Sequence, residues 1–176
     1  MRFSVTFLFL ENVLFFCAAT LFLIVVDRAW NNLKPFEIPK PLPGWFKIWF
    51  GTIQIIGGIL PLIALLLWGV WWHYPLVAMI LLPYLLQLGL QIASEYVTHY
   101  RWRSTAWVMV PYLYLPFRFW QLYEGLTWLD DRPELIWIRY LLIANLVAWI
   151  GNYLLDLAQL PRLFRWPSLE EETPPS

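Results

Sequence analysis

The residues able to do chemistry in this sequence are few, and most recur at helical spacing. Gln87, Gln91, Ser94, Glu95 and Thr98 share one face of a helix, and Asn145, Asn152, Asp156 and Gln159 share a face of another. Tyr114, Arg118 and Gln121 line up on a third, while Glu11, Asn12 and Thr20, then Thr52 and Gln54, mark the first two apolar stretches. Rows of carboxylates, amides and one guanidinium suit proton transfer, ligand contact or hydrogen bonding between helices. Glu95 and His99, at i and i+4, face the same way, which is the spacing of a proton relay or of half a metal site. Arg101, Arg103, Asp156 and Arg162 fall at the same end. Two ligands on one helix do not complete a metal site, and His73 lies at the opposite end, so no metal is expected.

Glu11 and Arg118 are each the only full charge within the apolar part of their stretch. At 1.5 Å per residue, Glu11 sits about 9 Å from the start of its stretch and Arg118 about 12 Å from the same face of the molecule. A charge in hydrocarbon costs roughly 2.5–3.5 kcal/mol on insertion scales, so the economical arrangement is a buried Glu11–Arg118 ion pair. By the same argument Gln54, Gln87, Gln91, Glu95, His99, Asn145, Asn152 and Asp156 are expected to face a polar interior or a ligand rather than lipid.

Signatures of soluble-enzyme chemistry are missing from the sequence: there is no Gly-rich phosphate loop, His-Glu-x-x-His, Gly-x-Ser-x-Gly or Cys-x-x-Cys. The single cysteine, Cys17, excludes an intrachain disulfide. Lys34, Lys40 and Lys47 all lie in or beside the first connection, which excludes a Schiff-base lysine within an apolar stretch, and two histidines at opposite ends do not suit bis-histidine haem ligation. No cofactor is implied. The net charge of zero gives no reason to expect nucleic acid as a partner.

The elements that must hold these residues follow from composition. Of 176 residues, 60% are hydrophobic and 14% charged, against about 25% charged in ordinary soluble domains. That excludes a disordered chain and an ordinary soluble globule. Four stretches, Val5–Val26, Ile48–Trp72, Pro75–Ser94 and Leu135–Leu160, have the roughly 20 apolar residues a transmembrane helix requires. A fifth, Thr105–Leu126, is interrupted by Pro111, Pro116, Arg118, Gln121 and Glu124. Tryptophan prefers the membrane–water boundary, and with five spans most of the tryptophans fall at one; only Trp120 and Trp149 lie deep. Trp107 and Trp128 bracket the fifth stretch at one membrane thickness. The expected fold is therefore an all-α integral membrane protein, a five-helix transmembrane bundle, with four spans plus a re-entrant or interfacial helix as the alternative.

Basic residues set the orientation. Arg28, Lys34, Lys40, Lys47, Arg101, Arg103, Arg162 and Arg165 fall on one side, and Arg2, Arg132 and Arg139 on the other. The richer side is expected to face cytoplasm or stroma, with the N-terminus outside and the C-terminus inside. A cleaved signal peptide over residues 1–19 is disfavoured, because Glu11 interrupts its apolar core and cleavage would export the basic Arg28–Lys47 segment. Residues 1–166 are expected to form a single bundle domain and 167–176 a short acidic, proline-rich tail without order. Pro35, Pro39, Pro41 and Pro43 forbid helix in the first connection, which should lie flat on the bilayer surface, whereas His73-Tyr74-Pro75 should close a tight antiparallel hairpin. Gly51, Gly57, Gly58, Gly89, Ala93, Ala144, Ala148 and Gly151 are candidates for close helix approach.

Pro43-Gly44-Trp45-Phe46-Lys47 ahead of a span, with Asp27 ending the previous one, resembles the emopamil-binding and sigma-2-receptor-like membrane family over under 20 residues. The acidic residue that family carries early in the next span is absent, the nearest polar group being Gln54, and four spans would suit it where five are read here. No function or site is carried over. On the residues themselves, the expected function is that of a non-catalytic accessory subunit, whose partners are the lipid bilayer and a membrane protein or a lipid ligand. A small transporter or ligand-binding bundle is the alternative, although an odd number of spans does not suit a simple inverted repeat. A membrane enzyme acting on a lipid or isoprenoid by carboxylate acid–base chemistry is the second alternative. An accessory bundle should be packed solid, whereas a transporter or enzyme should enclose a cavity lined by the polar stripes.

Overall fold

The computed structural model describes residues 5–34, 44–129, 132–163 and 165–167. The middle of the first connection and nearly all of the acidic tail lie outside the described residues. Regular structure among those described is helical throughout. Five long helices follow in order: α1 (Val5–Ala29), α2 (Gly44–Trp71), α3 (Pro75–Arg101), α4 (Met109–Trp128) and α5 (Ile136–Leu157), with a final short turn, α6 (Leu160–Leu163). Four helical stretches are long and apolar enough to cross a membrane: Phe7–Ala29, Gly44–Trp71, Pro75–Arg101 and Pro133–Leu163. α4 is not among them, since Arg118, Gln121 and Glu124 dilute its apolar content. At 20 residues it is nonetheless about 30 Å long.

α4 runs antiparallel to α3 and α5 along its length. Near its start, Tyr114 meets Ser94 of α3 at 2.9 Å and the Tyr112 hydroxyl donates to the Asp156 carbonyl of α5 at 2.5 Å. Near its end, Gly125 is so close to Ile80 of α3 that a Cβ there would lie 2.7 Å from Cγ2 of Ile80, and 3.1 Å from Leu142 of α5. α2 and α3 form the expected hairpin. Tyr74 N–H donates to Trp68 O at 2.9 Å, His73 takes a positive φ of 56°, and Pro75 opens α3 where a missing N–H is harmless. α4 is preceded by a 3-10 turn, Thr105–Val108, whose first residues are capped by Ser104 through a 3.1 Å bond from Ala106 N–H to Oγ.

The main core lies among α2, α3, α4 and α5, around Val77, Leu81, Leu115, Leu122 and Leu142, all essentially without exposed surface. α1 is peripheral and packs Ala19 and Leu23 against Val110 and Tyr114. The outer faces carry Phe9, Leu14, Leu21, Trp71, Val147 and Leu154, all exposed. A continuous apolar exterior of this extent is larger than water-soluble monomers normally expose.

One local feature of α2 matters for the interior. In an α-helix the carbonyl of residue 57 takes its hydrogen bond from the N–H of residue 61, but residue 61 is proline and has none. The ladder widens into a π turn over Ile55–Ile59, with Leu60 N–H bonded to Ile55 O. The Gly57 carbonyl is thereby available to a side chain. Gly57 also has no room for a Cβ, which would stand 2.4 Å from the Trp149 ring. By contrast Gly51 and Gly89, two of the small residues expected at close contacts, have no neighbour within 4 Å of where a Cβ would sit.

Candidate functional site

The polar interior is built around Arg118, whose side chain is 1% exposed. α4 carries it inward one turn after Tyr114, between α3 and α5. Its guanidinium carbon lies 4.2 Å from the centre of the Trp149 ring and 5.6 Å from that of Tyr84, so two aromatic faces receive the charge. Nη2 donates to Gln91 Oε1 at 2.7 Å, and Gln91 Nε2 donates to Glu95 Oε1 at 2.8 Å. The Gln91 amide thus relays Arg118 to Glu95, accepting from the cation and donating to the carboxylate.

A second cluster is built on Trp149 and Tyr84 themselves. Its Nε1 donates to the Tyr84 hydroxyl at 2.8 Å, and that hydroxyl has one proton to share between Gly57 O at 2.6 Å and Asn145 Oδ1 at 2.8 Å. The other side of Asn145 is satisfied within α5, where Nδ2 donates to Leu141 O at 2.9 Å. A third cluster ties α1 to the rest. Gln87 Nε2 donates to Asn12 O at 2.9 Å and Gln121 Nε2 to Asn12 Oδ1 at 3.0 Å, while Asn12 Nδ2 donates back to Leu8 O at 2.7 Å. Between these clusters Arg118 Nε and Nη1, Gln87 Oε1 and Gln121 Oε1 are shut from solvent and make no direct hydrogen bond.

The residues singled out from sequence divide accordingly. Gln87, Gln91 and Asn145 are buried, and Glu95 is half-buried. These four join the interior together with Arg118. Asn152 and Asp156 form a separate pair at the end of α5, with Asn152 Nδ2 donating to Asp156 Oδ2 at 3.2 Å and Trp49 Nε1 approaching Asn152 Oδ1 at 3.4 Å. His99 is half-buried and packs its ring on Tyr100 and Trp107, with centroids 4.6 and 4.9 Å away. Gln54 is exposed on the outer face of α2, not in the interior. Its neighbour Ile53 faces inward instead, because the inward rows of α2 run through Ile53, Gly57, Pro61 and Ala64. Among the described residues, no group of three or more histidine, cysteine, aspartate or glutamate side chains could hold a metal ion.

The expected pairing of Glu11 with Arg118 is not made. Glu11 Oε1 instead accepts from Trp120 Nε1 at 3.0 Å. Trp120 is two residues beyond Arg118, about 200° further round the helix, and is itself exposed. Equal depth placed the two charges at one level, but they point to opposite sides of α4. The partner that depth missed is an amide, not a carboxylate.

Two further interior residues had a legible signal. Tyr84 precedes Gln87 and Gln91 at i, i+3 and i+7, so it extends the α3 stripe by one turn. Trp149 lies between Asn145 and Asn152 and is one of the two tryptophans that fall deep in their spans. Aromatic residues with a polar tip belong in such a stripe as much as amides do.

Fold and site together define an all-helical bundle with a hydrogen-bonded polar interior and four helices long and apolar enough to cross a membrane. Compared with family models, with curated proteins and with solved structures, the chain matches none of them.

Proposed function

We propose that this chain is a small multi-pass membrane protein with a non-catalytic, accessory role, binding a membrane-protein partner or a lipid. The observation that carries this reading is that each interior polar side chain is engaged with another through at least one hydrogen bond. Arg118, Gln91 and Glu95 form one chain of contacts; Trp149, Tyr84, Asn145 and Gly57 O form another; Gln87, Gln121 and Asn12 form the third. Groups arranged to fix helices against each other serve packing first. The amides and the buried guanidinium orient the bundle, and the apolar exterior is left for lipid and partner.

All five helices cross the bilayer in this reading, with the N-terminus outside and the C-terminus on the cytoplasmic or stromal side. The antiparallel run of α4 along α3 and α5 supports a fifth crossing, and the basic residues concentrated at one end support the orientation. Labelling of Asn32→Cys and Ser176→Cys in intact cells tests it: both should be protected from an external reagent, and external labelling of position 176 alone would indicate four crossings. The role itself is tested by extraction in mild detergent, affinity capture and mass spectrometry. A partner protein or a lipid should be retained in stoichiometric amount; a protein that emerges with neither refutes the accessory reading.

A ligand-binding bundle is the second reading, favoured by one observation. Arg118 Nε and Nη1 are donors, Gln87 Oε1 and Gln121 Oε1 are acceptors, and all four lie buried without direct partners. A small polar molecule with both kinds of group would satisfy them.

A further inference from the structure

Glu11 is left outside the polar interior. It sits half-buried at the edge of the outer face of α1, about 9 Å along the helix from Val5. Trp120 Nε1 holds one of its oxygens at 3.0 Å. The seam beside it is aromatic, with Phe15 stacked on Phe117 at 4.0 Å one turn further along α1. Glu124 follows Phe117 by two turns in the same row of α4 and is close enough to repel Glu11. Among the described residues neither carboxylate has a cationic partner. Phe7, Leu14, Ala18, Leu21 and Val25 are exposed and run with Glu11 along one face of α1, in steps of four and three residues. That is the spacing by which one helix receives another at a small crossing angle. Trp120 and Tyr123, also exposed, form the neighbouring edge on α4.

We propose that the groove between the outer faces of α1 and α4 seats a transmembrane helix of a partner protein, with a lysine or arginine of that helix paired to Glu11. It rests on the membrane-accessory reading and names the surface and the partner's chemistry for it. Charge chooses the cation. A carboxylate at hydrocarbon depth is costly, a second carboxylate nearby adds to that cost, and the described residues of this chain supply no cation to offset it. The Trp120 indole fixes the carboxylate through Oε1 and leaves Oε2 for the partner. Depth chooses a helix over a lipid amine: an amine headgroup lies at the bilayer surface, whereas a helix can carry a lysine or arginine at the level of Glu11. The stepped apolar face continues from that level to Val25, near the end of α1, which suits a crossing helix and not a short loop. A second copy of the chain does not offer the cation. Among the described residues at this end of the bundle, Arg118 is buried, Arg132 pairs with Glu134 at 3.7 Å, and Arg139 is already engaged.

The test uses the full chain in mixed micelles with a synthetic leucine–alanine helix of about 23 residues, carrying one lysine about eight residues from its end and a photoreactive leucine beside it. A control peptide has leucine in place of the lysine, and retained peptide is counted by native mass spectrometry. Wild type should prefer the lysine peptide about tenfold, and cross-links should fall on α1 and α4. Glu11→Gln should abolish that preference with the melting temperature unchanged, and Glu11→Lys should prefer a glutamate peptide instead. Ala18→Phe, at an exposed position on the same face, should weaken both peptides alike. Equal retention of the two peptides by wild type would overturn the proposal. A lysine preference that survives Glu11→Gln, or cross-links confined to α2, α3 or α5, would overturn the site while leaving an accessory protein that binds elsewhere. Wild-type dimers that Glu11→Gln dissolves would give the groove to a second copy and overturn the separate partner. In each case the partner capture described above still decides the accessory reading by itself.

Discussion

Removing one oxygen from the interior tests the account of how the bundle is held. In Tyr84→Phe the ring stays and the hydroxyl goes, so packing volume is nearly unchanged. Three groups lose their contact: Trp149 Nε1, Gly57 O and Asn145 Oδ1, at 2.8, 2.6 and 2.8 Å. The Gly57 carbonyl has no replacement at i+4, because that donor position is Pro61. Contacts of this kind within membrane bundles average about 0.6 kcal/mol each, so three give about 2 kcal/mol. The water-soluble value for stranding a buried polar group, about 1–3 kcal/mol each, is the larger bound. On the proposed membrane reading the membrane value applies, since an unfolded chain in lipid also finds partners. Reversible unfolding in mixed micelles, titrated with a denaturing detergent, should show a loss of about 2 kcal/mol relative to wild type. The double variant Tyr84→Phe/Trp149→Phe should be less destabilised than the sum of the singles, because Trp149 Nε1 is no longer stranded. A Tyr84→Phe protein as stable as wild type, or strict additivity in the double variant, would refute the claim that the hydroxyl links α2, α3 and α5.

Gly57→Ala places a methyl group 2.4 Å from the Trp149 ring; an overpacking loss of about 1–3 kcal/mol is expected in the same assay, relieved by Trp149→Phe. Arg118→Lys keeps the charge but loses the planar stack on Trp149, and should destabilise by about 2 kcal/mol, with a matching change in tryptophan emission. Arg118→Leu should destabilise more than Arg118→Leu/Glu95→Leu, since the single change leaves a carboxylate without its relayed cation; the reverse order would show that Glu95 is not the partner. Glu11→Gln, at a contact on the outside of the bundle, should stay within about 0.5 kcal/mol of wild type, and a loss of several kcal/mol would restore Glu11 as a structural anchor.

The helical class and most of the interior were legible because polar side chains are so sparse in these apolar stretches that their spacing reports which face is inside. Gln87, Gln91 and Asn145 follow that rule. Gln54 breaks it: Thr52, two residues away, is not at helical spacing from it and gives it no face, and Gln54 turned outward while Ile53 and Gly57 turned in. The Glu11–Arg118 pairing failed for a related reason. Depth along an axis is a one-dimensional measure, and the azimuth of Glu11 is set by which face of α1 packs. Asn12, one residue later, is the one that enters. The Gly57–Tyr84 contact needed two facts read together, a proline four residues on and a tyrosine on another helix, and only the first is local in sequence.

The position of α1 has a consequence for the order of events during synthesis. Asn12 is made before either of the glutamines that complete it, which come 75 and 109 residues later. At a translation rate of about 5–20 residues per second, α1 waits for Gln121 for roughly 5–20 seconds. Through that interval its amide would lack both glutamines, but Nδ2 reaches the Leu8 carbonyl within the same helix. On the proposed membrane reading, that internal bond lets α1 enter the bilayer without its neighbours, while Oδ1 is kept for Gln121. The same side chain thus serves first as a temporary seal and then as a latch, and replacing Asn12 with leucine should leave insertion unimpaired while loosening α1 from the finished bundle.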